Sequence, residues 1–343
     1  MKHLGRLAGL MASLAVAVTA PAYAKDKVVI GEQSWTGAVA IQNVMKAVIE
    51  KYLDGDVSFL LVAEDAMYPA LNKGDGSMDV VPDLWSQHTT AMMNEYVLPG
   101  SKETIRLNKT PYKGSEGIFI PGYVQDKYNI HKVADLANPV IAKIFDSDGD
   151  GKGEYWAGAV GWEATNHTEV RAKSYGFDKL FTASTVEQPV FLAQLAAAYQ
   201  RKEPIVFYYW TPEWIFASYD LRMLDEPPFD GYSSDDLKND PLYKADGCYK
   251  FYQPGNNPDW LDKSSITCAQ PDTDVYVARS KALDERAPKI GKFLSQIAFT
   301  PDMVNGWILA IDQQKKDPLD VARQWVDENK EIVEGQWLNG VMM

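Results

Sequence analysis

The chain has 343 residues, 46% of them hydrophobic and 24% charged, a globular balance with enough apolar material for one or two substantial cores and neither a disordered nor a fibrous composition. It carries 47 acidic against 34 basic side chains, a formal charge of −13, which excludes a nucleic-acid partner and otherwise means only a soluble surface.

Met1-Lys2-His3-Leu4-Gly5-Arg6 is basic, an apolar run extends from Leu7 to Thr19, and Ala22-Tyr23-Ala24 is a small-x-small ending. Together these predict a secretory signal peptide over 1–24, with the mature chain starting near Lys25. The apolar run is shorter than the ~20 residues a membrane span needs. No cysteine follows it to carry a lipid. Cleavage would remove Lys2 and Arg6 and no acid, taking the charge from −13 to −15.

Residues 27–31 read as a strand, and 38–52 carry Ile41, Val44, Met45, Val48 and Ile49 at helical spacing. A strand at 57–62, a helix at 67–72 and a strand at 78–82 follow, an alternation that predicts a parallel sheet with helices on its faces. A second alternating stretch has strands near 117–120, 179–183 and 205–208 and helices at 163–175 and 187–201. From 226 to 272 the pattern breaks into turn residues, with Pro227-Pro228 and Pro254-Gly255 as markers. A strand at 274–279 precedes late helices, among them 301–316 and 318–329, each opened by proline. The expected fold is therefore α/β, a two-lobe clamp with its ligand cleft between the lobes. Residues 25–113 and 213–343 form the first lobe, with an insertion at 226–271, and 114–212 the second. Hinge motion about 112–116 and 211–214 would close it.

Cys248 and Cys268 are the only cysteines. In an exported chain an even pair predicts a disulfide, here inside the insertion, whereas a metal site would need more cysteine or histidine nearby. Closing that loop is worth about 3 kcal/mol on the loop-entropy account.

No H-E-x-x-H, G-x-S-x-G, Walker A, G-x-G-x-x-G or C-x-x-C pattern occurs. Beyond the signal peptide the histidines are His88, His131 and His167, each read more readily as a surface or capping residue than as a base. An enzyme reading would use His88 with Asp83. Asp146, Asp148 and Asp150 followed by Gly151 match the first half of a calcium loop, with a Lys152 carbonyl as a further ligand. The usual acid at position 12 is Ala157, so Glu154 would have to replace it; the other reading is a solvated acidic turn.

The aromatic run Phe207-Tyr208-Tyr209-Trp210-Thr211-Pro212-Glu213-Trp214 reads as a buried strand ended by Pro212, with a short helix opening at Thr211 or Glu213. Rings gathered at the carboxyl end of a strand lie where open α/β sheets bind ligands, and an indole face suits a cation that has no hydrogen to donate. Ordinary core packing is the alternative. Trp35, Trp85 and Trp162 occupy comparable positions where strands give way to loops or helices, whereas Trp307, Trp325 and Trp337 fall at apolar positions of late helices and read as packing.

Residues 79–85 (DVVPDLW), 133–145, Gly161-Trp162, 201–214 with its W-T-P-x-W piece, and 274–279 (DVYVAR) resemble the substrate-binding proteins of ABC importers for glycine betaine, proline betaine and related quaternary ammonium compounds. The resemblance covers almost the whole mature chain and implies a periplasmic type II binding-protein clamp. It further implies a monomer that serves permease subunits in the inner membrane and needs no cofactor beyond the possible calcium. Trp85, Trp162 and Trp210 would cage a methylated nitrogen, with Trp35 as a fourth wall. Backbone N–H groups around Gly161-Trp162, and His88, would hold a betaine carboxylate. Glu163 and Glu116 are departures: either acid in the pocket would repel that carboxylate and favour choline or trimethylamine N-oxide over glycine betaine.

Overall fold

The structure, a computed structural model, describes residues 25–271 and 273–341; the expected signal peptide lies outside the described residues. Strands β1 (Asp26–Glu32), β2 (Gly55–Leu61), β3 (Val80–Trp85) and β4 (Ile105–Leu107) belong to the first lobe. β5 (Tyr112–Pro121) leads into β6 (Gly153–Trp156), β7 (Phe181–Ser184), β8 (Val206–Thr211) and β9 (Leu221–Met223). β10 (Tyr249–Lys250) and β11 (Ser265–Ile266) form a separate hairpin-like pair, and β12 (Thr273–Ser280) returns to the first lobe.

β1 pairs in parallel with β2 on one side and with β3 on the other, as the opening alternation predicts. The helix Thr36–Tyr52 lays Ile41, Val44, Met45, Val48 and Ile49 on that sheet, all buried, because residues three, four and seven apart share one face. No side chain of its own caps this helix. Gln188, from the second lobe, accepts the Thr36 N–H at 2.9 Å through Oε1.

β5 joins the lobes. Tyr112 to Gly114 pair with β12 and Ser115 to Phe119 pair with β8, so a single curled sheet runs in the order β2-β1-β3-β12-β5-β8-β6-β7. The crossing expected at 112–116 is this strand. At the second expected crossing Trp214 donates from Nε1 to Asp312 of the helix Pro301–Asp312 at 3.1 Å, and the short helix begins only at Ile215.

Three sequence expectations change. The strand expected to end at Pro82 continues to Trp85, which pairs with Val275. Residues 221–223, assigned to the first lobe, form β9 against Phe119 to Pro121 in the second-lobe half of β5. The insertion at 226–271, also assigned to the first lobe, packs largely on the second-lobe helix Glu163–Tyr175. There Arg171 pairs with Glu226 at 2.8 Å with both side chains buried, and Ser174 Oγ accepts the Ile266 N–H at 2.9 Å. It also reaches the first lobe, where Asn94 donates to Asp240 at 3.2 Å. Its own core is small (Tyr232, Leu237, Tyr249, Phe251, Ile266), and the Cys248–Cys268 disulfide closes it as expected. Trp307 and Trp337 are buried and Trp325 packs against both, confirming their reading as packing.

Candidate functional site

A cavity lies where the lobes meet. Its walls are the indoles of Trp35, Trp85, Trp162 and Trp210, and Tyr208, Ala164, His88 and Glu64 complete it. The four tryptophans, drawn from both lobes, therefore converge as the strand-end argument requires.

Each indole is held by a specific local feature. Trp85 ends β3, and Gly114 opposite it leaves room for the ring, since a Cβ there would stand 2.5 Å from Trp85 Cζ3. Trp35 ends the loop before the helix Thr36–Tyr52 and donates from Nε1 to Asp83 Oδ2 at 2.7 Å. Trp85 Nε1 donates to the same oxygen at 3.1 Å, and Tyr112 OH donates to Oδ1 at 2.6 Å. One buried carboxylate thus anchors two walls. Burial pushes Asp83 up, and its three donors oppose that shift. Trp162 follows Gly161, whose φ of +85° turns the chain, and donates across the lobes from Nε1 to Ser34 Oγ at 2.8 Å. Its ring meets Trp35 and Trp210 edge-on, with centroids 5.3 Å away in each case. Trp210 stacks on Tyr209 at 4.4 Å.

Five of the seven side chains expected to face a ligand line this cavity: the four tryptophans and His88. The two acids do not. Glu116 lies behind the wall, where its Oε2 is 2.8 Å from His88 Nε2 and accepts from Tyr208 OH at 2.6 Å. Burial would raise Glu116, but the His88 charge and these bonds bring it below the usual carboxylate range. Glu163 points into a neighbouring cavity lined also by Asp65, Tyr68 and Gln253, where the Gln253 amide, oriented so that both its ends find partners, donates to both carboxylate oxygens. The physical reason is direction. Glu163 opens the helix after Trp162, and its backbone N–H, rather than its side chain, is turned to Glu64 at the tryptophan-lined cavity.

The acid that does line the cavity is Glu64, at the start of the first-lobe helix Glu64–Lys73. Its Oε2 accepts the Glu163 N–H at 3.2 Å and its Oε1 accepts from Tyr68 OH at 3.3 Å. Burial raises Glu64 to about 7; burial and then the Glu64 charge raise Glu163 to about 8. Nothing in the local sequence around Glu64 marks it as a site residue. Tyr208 was detectable, because residues two apart on a strand share a face and Trp210 faces the cavity. Trp156, behind Trp162 at 5.6 Å and stacked on Phe191, forms a second aromatic layer in β6, a strand the acidic-loop reading obscured.

His88 and Asp83 do not form a base pair: the bond of His88 is to Glu116, and Asp83 serves the two indoles and Tyr112. Away from the cavity, Asp146, Asp148, Asp150 and Glu154 each present an oxygen within 4.8 Å of the others. The Lys152 N–H donates to Asp150 Oδ1 at 2.8 Å.

Similarities to known proteins bear on the fold and the family. The glycine betaine/proline betaine-binding periplasmic protein of Salmonella typhimurium is 30% identical over 109 residues, 29% of this chain and 33% of that protein, so the match spans about a third of the relative. A solved glycine betaine, L-proline-binding protein of an ABC transporter from Borrelia burgdorferi matches with a TM-score of 0.68 at 19% identity, covering 93% of this chain and 100% of that one. A choline-binding ABC-transporter protein solved with choline matches with a TM-score of 0.67 at 17% identity, covering 92% of each chain. At these identities the two structures establish the fold, a periplasmic-binding-protein clamp. The family itself follows from residues 26–328, which match throughout: this chain belongs to the substrate-binding domains of ABC-type glycine betaine transport systems.

Proposed function

We propose that the protein is an extracytoplasmic solute-binding protein that closes on a methylated amine osmolyte, glycine betaine or a relative such as choline or trimethylamine N-oxide, and delivers it to an ABC permease. The cage carries this reading. Three of its four indoles turn their N–H groups to partners outside the cavity, Asp83 for Trp35 and Trp85 and Ser34 for Trp162. A trimethylammonium head donates no hydrogen bonds and spreads its charge, so it exchanges water for ring faces at about 2 kcal/mol per desolvated contact. Several such faces, partly non-additive and opposed by lost freedom and lobe closure, leave about micromolar affinity, roughly −8 kcal/mol. Contacts from both lobes favour the closed arrangement over an open one. Calorimetry and tryptophan fluorescence with the three compounds test the reading. The expected result is saturable binding with quenched emission and unchanged ligand; binding of none of them, or turnover of any, would overturn it.

The acidic loop fits a structural calcium site in the same protein. Its four carboxylates supply hard oxygen donors, Glu154 standing in for the acid missing at position 12 and Lys152 adding its carbonyl. Asp146 accepts the Gly149 and Gly151 N–H groups at 2.7 and 3.0 Å, which folds the turn around the point where the oxygens meet. Because a cation bound only by the native state stabilises it by mass action, chelation lowers Tm and added calcium restores it. Asp148→Ala abolishes that response; an unchanged calcium response in the variant would sink the assignment.

A further inference from the structure

We propose that Glu64 decides which methylated amine the cage prefers, disfavouring ligands that carry a carboxylate and favouring those whose far end is a hydroxyl or an N-oxide oxygen. This inference rests on the cage reading above.

Glu64 lines the cavity beside the indoles and is 6% exposed. It is pinned from both lobes. Its carboxylate accepts from the Glu163 N–H and from Tyr68 OH, while its own N–H donates to Gly161 O at 3.4 Å. The Glu163 N–H belongs to the first turn of a 13-residue helix, where unpaired amides and aligned peptide dipoles favour one anion. The molecule supplies that anion itself, from the opposite lobe. A ligand carboxylate would therefore lose this donor and meet a like charge.

The charge balance of the cavity points the same way. Among the described residues that line the cavity, His88 alone has a side chain able to carry a positive charge, and it is already paired through Nε2 with Glu116. Among these described residues no uncompensated cation remains for a ligand carboxylate. A ligand with one positive head and no acid neutralises Glu64, and its hydroxyl can donate to that carboxylate. An N-oxide suits the protonated form, which prevails below the raised pKa of about 7, whereas the repulsion of a ligand carboxylate belongs to the ionised form above it. A zwitterion with its own carboxylate adds a second negative charge to a cavity walled mainly by indoles.

Calorimetry on the mature full-length chain with choline, trimethylamine N-oxide and glycine betaine tests this. Above about pH 7, where Glu64 is ionised, wild type binds choline at least about tenfold more tightly than glycine betaine, the factor that 1.4 kcal/mol of repulsion produces. Glu64→Gln keeps the shape and an oxygen for the Glu163 N–H but removes the charge. It moves the betaine-to-choline affinity ratio toward betaine by about tenfold or more. The wild-type ordering needs no variant, so the inference stays exposed even if Glu64→Gln folds poorly. A wild type that binds glycine betaine most tightly overturns it, as does a folded Glu64→Gln whose ratio moves less than about threefold. Either result leaves the cage intact. Binding of none of the three compounds removes the cage reading and this inference together.

Discussion

Trp210→Ala lowers the affinity for a trimethylammonium ligand by about a hundredfold. One desolvated indole face is worth about 2 kcal/mol, or about thirtyfold. The truncation also removes the edge-on neighbour of Trp162 and the partner stacked on Tyr209, so the remaining walls lose definition. Trp210→Phe keeps a weaker face and costs about tenfold. Large-to-small changes in a packed interior also cost about 3–5 kcal/mol of folding stability, so thermal melts must accompany the titrations. An alanine variant that folds and binds like wild type would remove Trp210 from the cage.

Asp83→Ala destabilises the fold and weakens binding together, although Asp83 is not among the cavity-lining residues. The substitution leaves two indole N–H groups and the Tyr112 hydroxyl without their acceptor, all buried. Each unpaired buried donor costs about 1–3 kcal/mol, partly offset because the buried carboxylate no longer has to be desolvated. The expected net loss is about 3 kcal/mol, visible as a fall in Tm of about 5 °C or more. Trp35 and Trp85 then lose their shared anchor, and affinity falls about tenfold or more because they must be ordered on binding. Asp83→Asn retains one acceptor oxygen but turns an NH2 group toward donors, so its effect is intermediate. A Tm and an affinity both unchanged in the alanine variant would show that packing alone positions the two rings.

The difference between the two variants explains what could be read from residue order. A wall of this cavity is a local event: a strand ends, a glycine or a tight turn follows, and an indole is left at the mouth of the sheet. Trp85 at the end of β3, Trp162 after Gly161 and Trp210 near the end of β8 each satisfy that description within a few residues. The anchor beneath two of the walls is not local to both. Asp83 lies two residues from Trp85 but reaches Trp35 forty-eight positions away, a contact that exists only once β1 and β3 are neighbours in the sheet.

The sequence alone determined the α/β alternation, the parallel opening, the tryptophans at strand ends and the cysteine pair, because hydrophobic period, turn residues and residue type express themselves over short stretches of chain. Only the tertiary structure decided which acid meets the cavity. Glu163, Glu116 and Glu64 are equally polar in the sequence. Glu163 is carried into a neighbouring cavity by the direction of its helix, Glu116 is held behind the wall by His88 and Tyr208, and Glu64 is brought in by a helix of the other lobe. The insertion is the same case at larger scale. Its composition predicts a disulfide-closed loop, but its seat on the second lobe depends on Arg171 burying its charge against Glu226, 55 residues away. Such long-range pairings follow from the docking of one lobe or segment on another, and no periodicity in the chain encodes them.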